Sequence, residues 1–180
     1  MKKRKINLWE HAENILSSLE KGVLLTSKAN GKVNTMTISW GTLGIEWGKP
    51  IFTVFVRENR FTRQLLEENP EFTISIPVGN FDKKILGLCG TKSGRDTDKF
   101  KLANLTEIEP EVISVSAIKE LPLTLECKII YKQTQNPNEI TKENNEKFYP
   151  QNVNSDFHGA NRDYHTAYYG EIVSAYIIEE

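Results

Sequence analysis

The dipeptide Asn30-Gly31 constrains this chain more than any other feature, because it separates two runs in which residue character alternates with period two. A two-residue loop with positive φ at both positions matches the twist of paired antiparallel strands, and Asn-Gly tolerates that geometry well. Val23–Ser27 and Val33–Trp40 are therefore expected to be the arms of a hairpin. In the second arm Met36, Ile38 and Trp40 share one face, while Thr35, Thr37 and Ser39 share the other.

Around this hairpin the pattern is mostly β. Further strands are expected at Ile51–Arg57, Phe72–Ile76, Val112–Val115 and Leu123–Tyr131, with a final strand or strand pair over Tyr164–Ile178. Gly41, Gly44 and Gly48 mark a glycine-rich turn. Helices are interspersed. Leu8, Trp9, Ala12, Ile15, Leu16 and Leu19 recur at spacings of three and four, which predicts an amphipathic helix over 7–20 packing on a core. Thr62–Asn69 forms a short helix closed by Pro70, residues 81–90 another, and Asp96 caps a third containing Phe100, Leu102 and Leu105. Residues 133–163 are rich in Asn, Gln and Lys, and read as a long surface excursion. No repeat or linker divides the chain, so residues 1–180 are expected to form one domain with its core at about 20–178. Many short strands separated by turns, with helices inserted, point to a mainly β antiparallel barrel.

Composition removes several functional classes. Lys+Arg 23 against Asp+Glu 24 leaves a net charge of -1, without the cation surplus on which nucleic-acid affinity rests. The basic start Met1–Lys5 precedes no apolar run, so it reads as a solvated terminus and neither a signal peptide nor a membrane span. Two isolated cysteines, Cys89 and Cys127, fit a reducing compartment, and a cytoplasmic location is expected. His11, His158 and His165 are scattered and no HExxH occurs, so no metal site is expected. Neither GxGxxG nor GxxxxGK[ST] is present.

Four segments could carry chemistry. The hydroxyls of Thr35, Thr37 and Ser39 either line a polar groove or form a solvated strand face. Arg57, Asn59, Arg60 and Thr62 join a strand end to a helix start, where two guanidinium groups and free N–H groups suit a phosphate, unless the arginines pair with nearby glutamates. Cys89-Gly90 and the loop carrying Lys92, Ser93, Gly94, Arg95 and Lys99 offer donors and close backbone approach, or else an exposed charged loop. Cys89 itself lies on the apolar side of its helix. His165, opening the last strand, either orients or protonates a ligand or is a hydrogen-bonded structural residue.

Taken in order, Asn34–Trp40, Pro50 with Val54–Arg57, Asn59–Thr62, Phe72–Pro77, Cys89-Gly90 with Ser93–Phe100, Leu123–Cys127, and His165 with Gly170–Ile172 resemble the flavin reductase-like family of FMN-binding split barrels, which includes the flavoredoxins. The resemblance spans roughly residues 22–178. It implies a split antiparallel β-barrel with peripheral short helices, assembled as a homodimer with one FMN per barrel. By that resemblance Asn34, Thr35, Met36, Thr37, Ser39 and Trp40 line the flavin and its ribityl chain. Arg57, Asn59, Arg60 and Thr62 hold the phosphate side, and Cys89, Gly90, Ser93 and Lys99 close the pocket. His165 matches a position near the flavin or an incoming nicotinamide. The implied activity is an NAD(P)H-dependent flavin reductase passing hydride or electrons to an acceptor. The alternative is a flavoredoxin-type carrier that lacks its own NADH or NADPH activity and works with a redox partner protein. Two departures, Ala167-Tyr168-Tyr169 and the excursion at 133–163, bear on substrate access rather than on fold.

Overall fold

The computed structural model describes residues 1–179. Strand β1 (Lys2–Lys5) precedes a 3-10 turn at Leu8–His11 and helix α1 (Ala12–Lys21). Strands β2 (Val23–Ala29) and β3 (Lys32–Ile38) follow, then β4 (Gly41–Glu46) and β5 (Lys49–Arg57). Helix α2 (Phe61–Glu68), β6 (Glu71–Ile76), α3 (Lys84–Thr91) and α4 (Lys99–Leu102) lead to the short pair β7 (Glu107–Ile108) and β8 (Ala117–Ile118). Strand β9 (Leu123–Thr134), helix α5 (Lys142–Phe148) and the 15-residue β10 (His165–Glu179) complete the chain.

The expected turn forms, with φ of 49° at Asn30 and 73° at Gly31, and it sets Thr26 opposite Thr35. A second turn of this kind, at Trp47-Gly48 (φ 52° and 70°), joins β4 to β5. Strand β4 therefore occupies most of the stretch read from sequence as a turn. Gly41 and Gly44 break its alternation, which hides a half-exposed strand from a periodicity argument.

The large sheet is antiparallel in the order β3-β2-β6-β9-β10-β5-β4, with β1 added on β10. Its two end strands, β3 and β4, are joined by Ser39 and Trp40 alone. Seven flat strands would place those ends roughly 29 Å apart, whereas a two-residue link spans at most about 11 Å. The sheet must therefore curl, and the outcome is a split barrel. Phe52, Val54 and Val56 of β5 and Phe72, Ile74 and Ile76 of β6 fill it at period two, with Val23, Leu25, Leu123 and Leu125, and α1 adds Ile15 and Leu19. Trp9 and Leu16 lie outside this core at 49% and 45% exposure. The 3-10 geometry at residues 8–11 turns Trp9 off the buried stripe, and Leu16 sits one step round the helix from Ile15.

A smaller cluster lies on the outer face of the hairpin, where Leu24 packs with Ile85 and Cys89 of α3 and with Ile118 and Leu121. Further differences from the sequence reading have identifiable causes. The basic start is a strand, registered Lys2↔Glu179 on β10, with Lys3 and Lys5 at 5.1 and 6.0 Å from the Tyr176 ring. The helix after the 91–95 loop is capped by Asp98 rather than Asp96, since the Asp98 carboxylate accepts from the Lys101 N–H at 3.1 Å. Residues 112–115 are not a strand, because carboxylates take their amides. Glu126, fully buried, accepts from the N–H groups of Glu111, Val112 and Ile113 and from the Tyr176 hydroxyl, while Glu71 accepts from the Ser114 N–H. No helix among the described residues is long and apolar enough to cross a membrane.

Replacing Glu126 by Ala leaves those amides and the tyrosine hydroxyl without acceptors. Glu126→Ala is expected to lower unfolding free energy by more than about 3 kcal/mol, read from urea denaturation. Loss below about 1 kcal/mol would mean that water replaces the carboxylate without cost.

Candidate functional site

Two clefts of about 440 and 420 Å³ open along β3, the first beside its link to β4, and Met36 and Arg60 line both of them. They form one groove with chemically distinct halves.

The polar half is built by β3, the start of α2 and the α3–α4 loop. Asn34 donates from Nδ2 to the Thr62 hydroxyl at 2.9 Å, so both side chains are oriented before any ligand arrives. Gly94 is required where the loop passes Asn34, because a Cβ there would collide with the Asn34 amide oxygen. Lys99 is 5% exposed and donates to the backbone carbonyl of Cys89 at 2.8 Å. Burial, with Arg60 close by, pushes its pKa down to about 8. Arg60 donates to the His158 carbonyl at 2.7 Å and is itself lowered by burial, with Asp163 partly compensating. Arg95 donates to the Asn59 carbonyl at 2.8 Å, and Asn59 to Ser155 O at 3.3 Å. Lys92 and Ser93 complete this half, with Asp96 and Asp156 also lining it. A buried lysine and a partly buried arginine thus face a cavity rich in donors, the donor set an anion requires.

The aromatic half is lined by Trp40, Phe55, Phe148 and His165, with Thr37 and Ser39 beside them. The Trp40 ring lies 5.1 Å from Phe148, edge to face, and 5.0 Å from His165. His165 sits opposite Arg57 in the β10–β5 register. Burial, then the charges of Arg57 and Arg60, push its pKa down to about 3, so the ring is neutral at physiological pH.

Not every expected residue reaches the groove. Thr35 is fully buried with its hydroxyl 3.1 Å from that of Thr26, so it lines neither half, although Thr37 and Ser39 on the same strand face border the cleft. Thr37 donates to the Leu86 carbonyl at 2.7 Å but still lines the aromatic half. Gly90 faces Thr37, where a Cβ would sit at an ordinary contact distance of 3.4 Å, and it lines neither half. Cys89 lines the polar half, but burial pushes its thiol up to about 11, and its carbonyl is the group engaged by Lys99. Arg57 lines the aromatic half and is held by protein. It donates to the carbonyls of Asp163 (2.5 Å), Phe148 (3.0 Å) and Asn161 (3.4 Å), and its guanidinium lies 5.1 Å from the Tyr149 ring. Its role is to clamp the excursion onto the barrel. The excursion brings Lys147, Phe148, His158, Gly159 and Ala160 to the groove, none of which the sequence reading selected. Their polar surroundings carry no periodicity, so no local signal marked them. Tyr168, by contrast, is a core residue whose hydroxyl donates to Glu67 at 2.7 Å, so it lies away from the groove.

Fold and groove define a class: a split barrel with a ring-lined and an anion-suited half at its seam. A sequence profile described as a flavin reductase like domain matches residues 17–180, and the chain belongs to this flavin reductase-like family. The crystal structure of flavoredoxin from Methanosarcina acetivorans is 25% identical, with a TM-score of 0.63 over 88% of this chain and 68% of that one. An FMN-binding domain of a flavin reductases-like enzyme from Shewanella baltica superposes over 98% of this chain and 77% of that one, at TM-score 0.66 and 17% identity. An uncharacterized protein of Archaeoglobus fulgidus is 29% identical over 99 residues, and the match spans 55% of each chain, about half the length of that relative.

The Lys99 geometry has a measurable cost. Its folded pKa of about 8 lies below the ordinary 10.5, so between these values the unfolded chain holds a proton that the folded one has shed. Stability of the ligand-free protein is therefore expected to rise with pH across that window, with the full penalty present below it. Lys99→Met should flatten this rise and stabilise the ligand-free protein in urea at neutral pH; an unchanged pH slope would refute the assignment to Lys99.

Proposed function

We propose that the groove binds FMN and that the chain is a flavin-dependent redox protein, an NAD(P)H-dependent flavin reductase that passes hydride or electrons to an acceptor. The observation that carries this reading is the juxtaposition of buried Lys99 and partly buried Arg60, facing a donor-rich cavity, with the aromatic residues around Trp40. A molecule with a phosphate at one end and a flat ring at the other matches both halves.

In this reading Arg60, Lys99, Ser93 and the α2 start around Asn59 and Thr62 hold the phosphate. Asn34 and Met36 lie along the middle, and Trp40, Thr37, Ser39 and His165 border the ring. Arg57 serves as the strut of the excursion rather than as a phosphate ligand, and Thr35 as a core hydrogen bond. When bound, FMN supplies a ring that accepts a hydride at N5 and releases electrons to an acceptor. The protein side orients that ring, limits water through Phe148 and the 158–160 segment, and keeps His165 uncharged. The resemblance further supports a homodimer.

A second reading is a flavoredoxin-type carrier. It is favoured by the excursion residues Phe148 and His158–Ala160, which border the aromatic half where a nicotinamide would have to enter.

FMN titration followed by flavin absorbance and fluorescence tests the ligand. Tight binding is expected, with Arg60→Ala weakening it about 10- to 100-fold through a lost charge-assisted contact. A wild-type protein that takes up no FMN overturns the proposal. Stopped-flow mixing with NADH and NADPH then separates the two readings: bleaching of bound flavin supports the reductase, and none by either nucleotide leaves the carrier.

A further inference from the structure

Gln135, Tyr149 and His165 form a chain of hydrogen bonds behind the aromatic half of the groove, and the direction of each bond follows from which groups can only donate. The backbone N–H of His165 is an obligate donor, so the Gln135 atom 3.1 Å away is its acceptor oxygen Oε1. The same oxygen lies 2.8 Å from the Tyr149 hydroxyl and accepts there as well. Tyr149 has one proton, and Gln135 takes it. The phenolic oxygen also stands 2.9 Å from Nδ1 of His165. With its proton committed, that oxygen accepts, and Nδ1 must carry the hydrogen. The reverse arrangement would set two acceptor oxygens against each other in a buried place and leave a bond unmade.

We infer that Tyr149 and Gln135 are positioning residues that lock His165 as its Nδ1–H tautomer, so that Nε2 offers a lone pair to an N–H or O–H group of the molecule bound in the groove. His165 is thereby an acceptor at the ring and not a proton donor.

Four further observations agree. His165 lines the groove, and among the described residues its ring hydrogen bond is made through Nδ1, leaving Nε2 available. The backbone closes the loop in the other direction, since the Gln135 N–H donates to the His165 carbonyl at 3.0 Å and fixes the two residues together. Tyr149 is itself immobilised, stacked on Tyr164 at 4.7 Å and lying 5.1 Å from the Arg57 guanidinium. The cations Arg57 and Arg60 also oppose a second proton on the ring. Both locking residues lie in the excursion, Gln135 near its start and Tyr149 directly after α5, so this segment sets the chemistry of the histidine.

The tautomer assignment stands without a ligand, whereas the group that meets Nε2 rests on the flavin reading. The test is two-bond proton–nitrogen NMR of the full chain labelled with nitrogen-15 histidine, the His165 signals being identified by their loss in His165→Gln. Wild-type protein should show a protonated Nδ1 and a bare Nε2, unchanged from about pH 5 to pH 8. A protonated Nε2, or titration to imidazolium in that range, overturns the proposal. In Gln135→Leu the Tyr149 proton is released to Nδ1, so the proton should move to Nε2; a folded variant that keeps Nδ1–H overturns the lock. If that variant does not fold, the wild-type spectrum still decides. Added FMN should shift the Nε2 signal in the direction of an accepted hydrogen bond. FMN that binds, by its absorbance, yet leaves Nε2 unmoved overturns the acceptor role. FMN that fails to bind counts against the flavin reading alone.

Discussion

The two-residue link between β3 and β4 governs this structure. Ser39 and Trp40 tie together the strands at opposite ends of the sheet path, so the sheet cannot lie flat. Curling buries the period-two apolar faces of β2, β5, β6 and β9 against one another and leaves a seam where the ends meet. The groove opens at that seam, and the link residues line it. Closure of the barrel and creation of the site are one geometric event.

The seam is then covered by a segment with almost no core of its own. Residues 135–164 stay in place because Arg57, Arg60 and Asn59 donate to their carbonyls and because Tyr149 joins His165 and Gln135. An arginine serves this purpose better than a lysine, since a planar fork can satisfy several carbonyls at once and stack on a tyrosine. The same logic recurs at the far end of the barrel. There the buried Glu126 carboxylate gathers the amides of 111–113 and decides that this apolar stretch is a loop and not a strand. In both places a buried charge is satisfied by backbone, and an irregular segment is ordered as a result.

Electrostatics divides the groove. Cations cluster in the polar half, where burial makes Lys99 easier to deprotonate, and an incoming anion would reverse that tendency. In the aromatic half the same positive field keeps His165 neutral. A site that is costly when empty and relieved by a phosphate-bearing ring accords with the proposed flavin role.

Much of the barrel was legible in the sequence because strands and turns are signalled locally. Asn30-Gly31 marked the first hairpin, β-rich runs marked β5 and β6, and the segments Asn34–Trp40, Asn59–Thr62 and Ser93–Lys99 contain residues that the structure brings to the candidate groove. Local signals failed where long-range partners decide. Thr35 and Arg57 have the right chemistry for a ligand, yet one is buried against Thr26 and the other is consumed by carbonyls 91 to 106 residues away. Phe148 and His158 sit in a polar tract with no periodicity and reach the groove only because arginines elsewhere hold their backbone. Residue type and alternation are properties of neighbouring positions, so the sequence alone determined the strands, the hairpin and the pool of candidate residues. Which side chains face the cavity depends on closure of the sheet and on who claims each donor, and only the tertiary structure decided that.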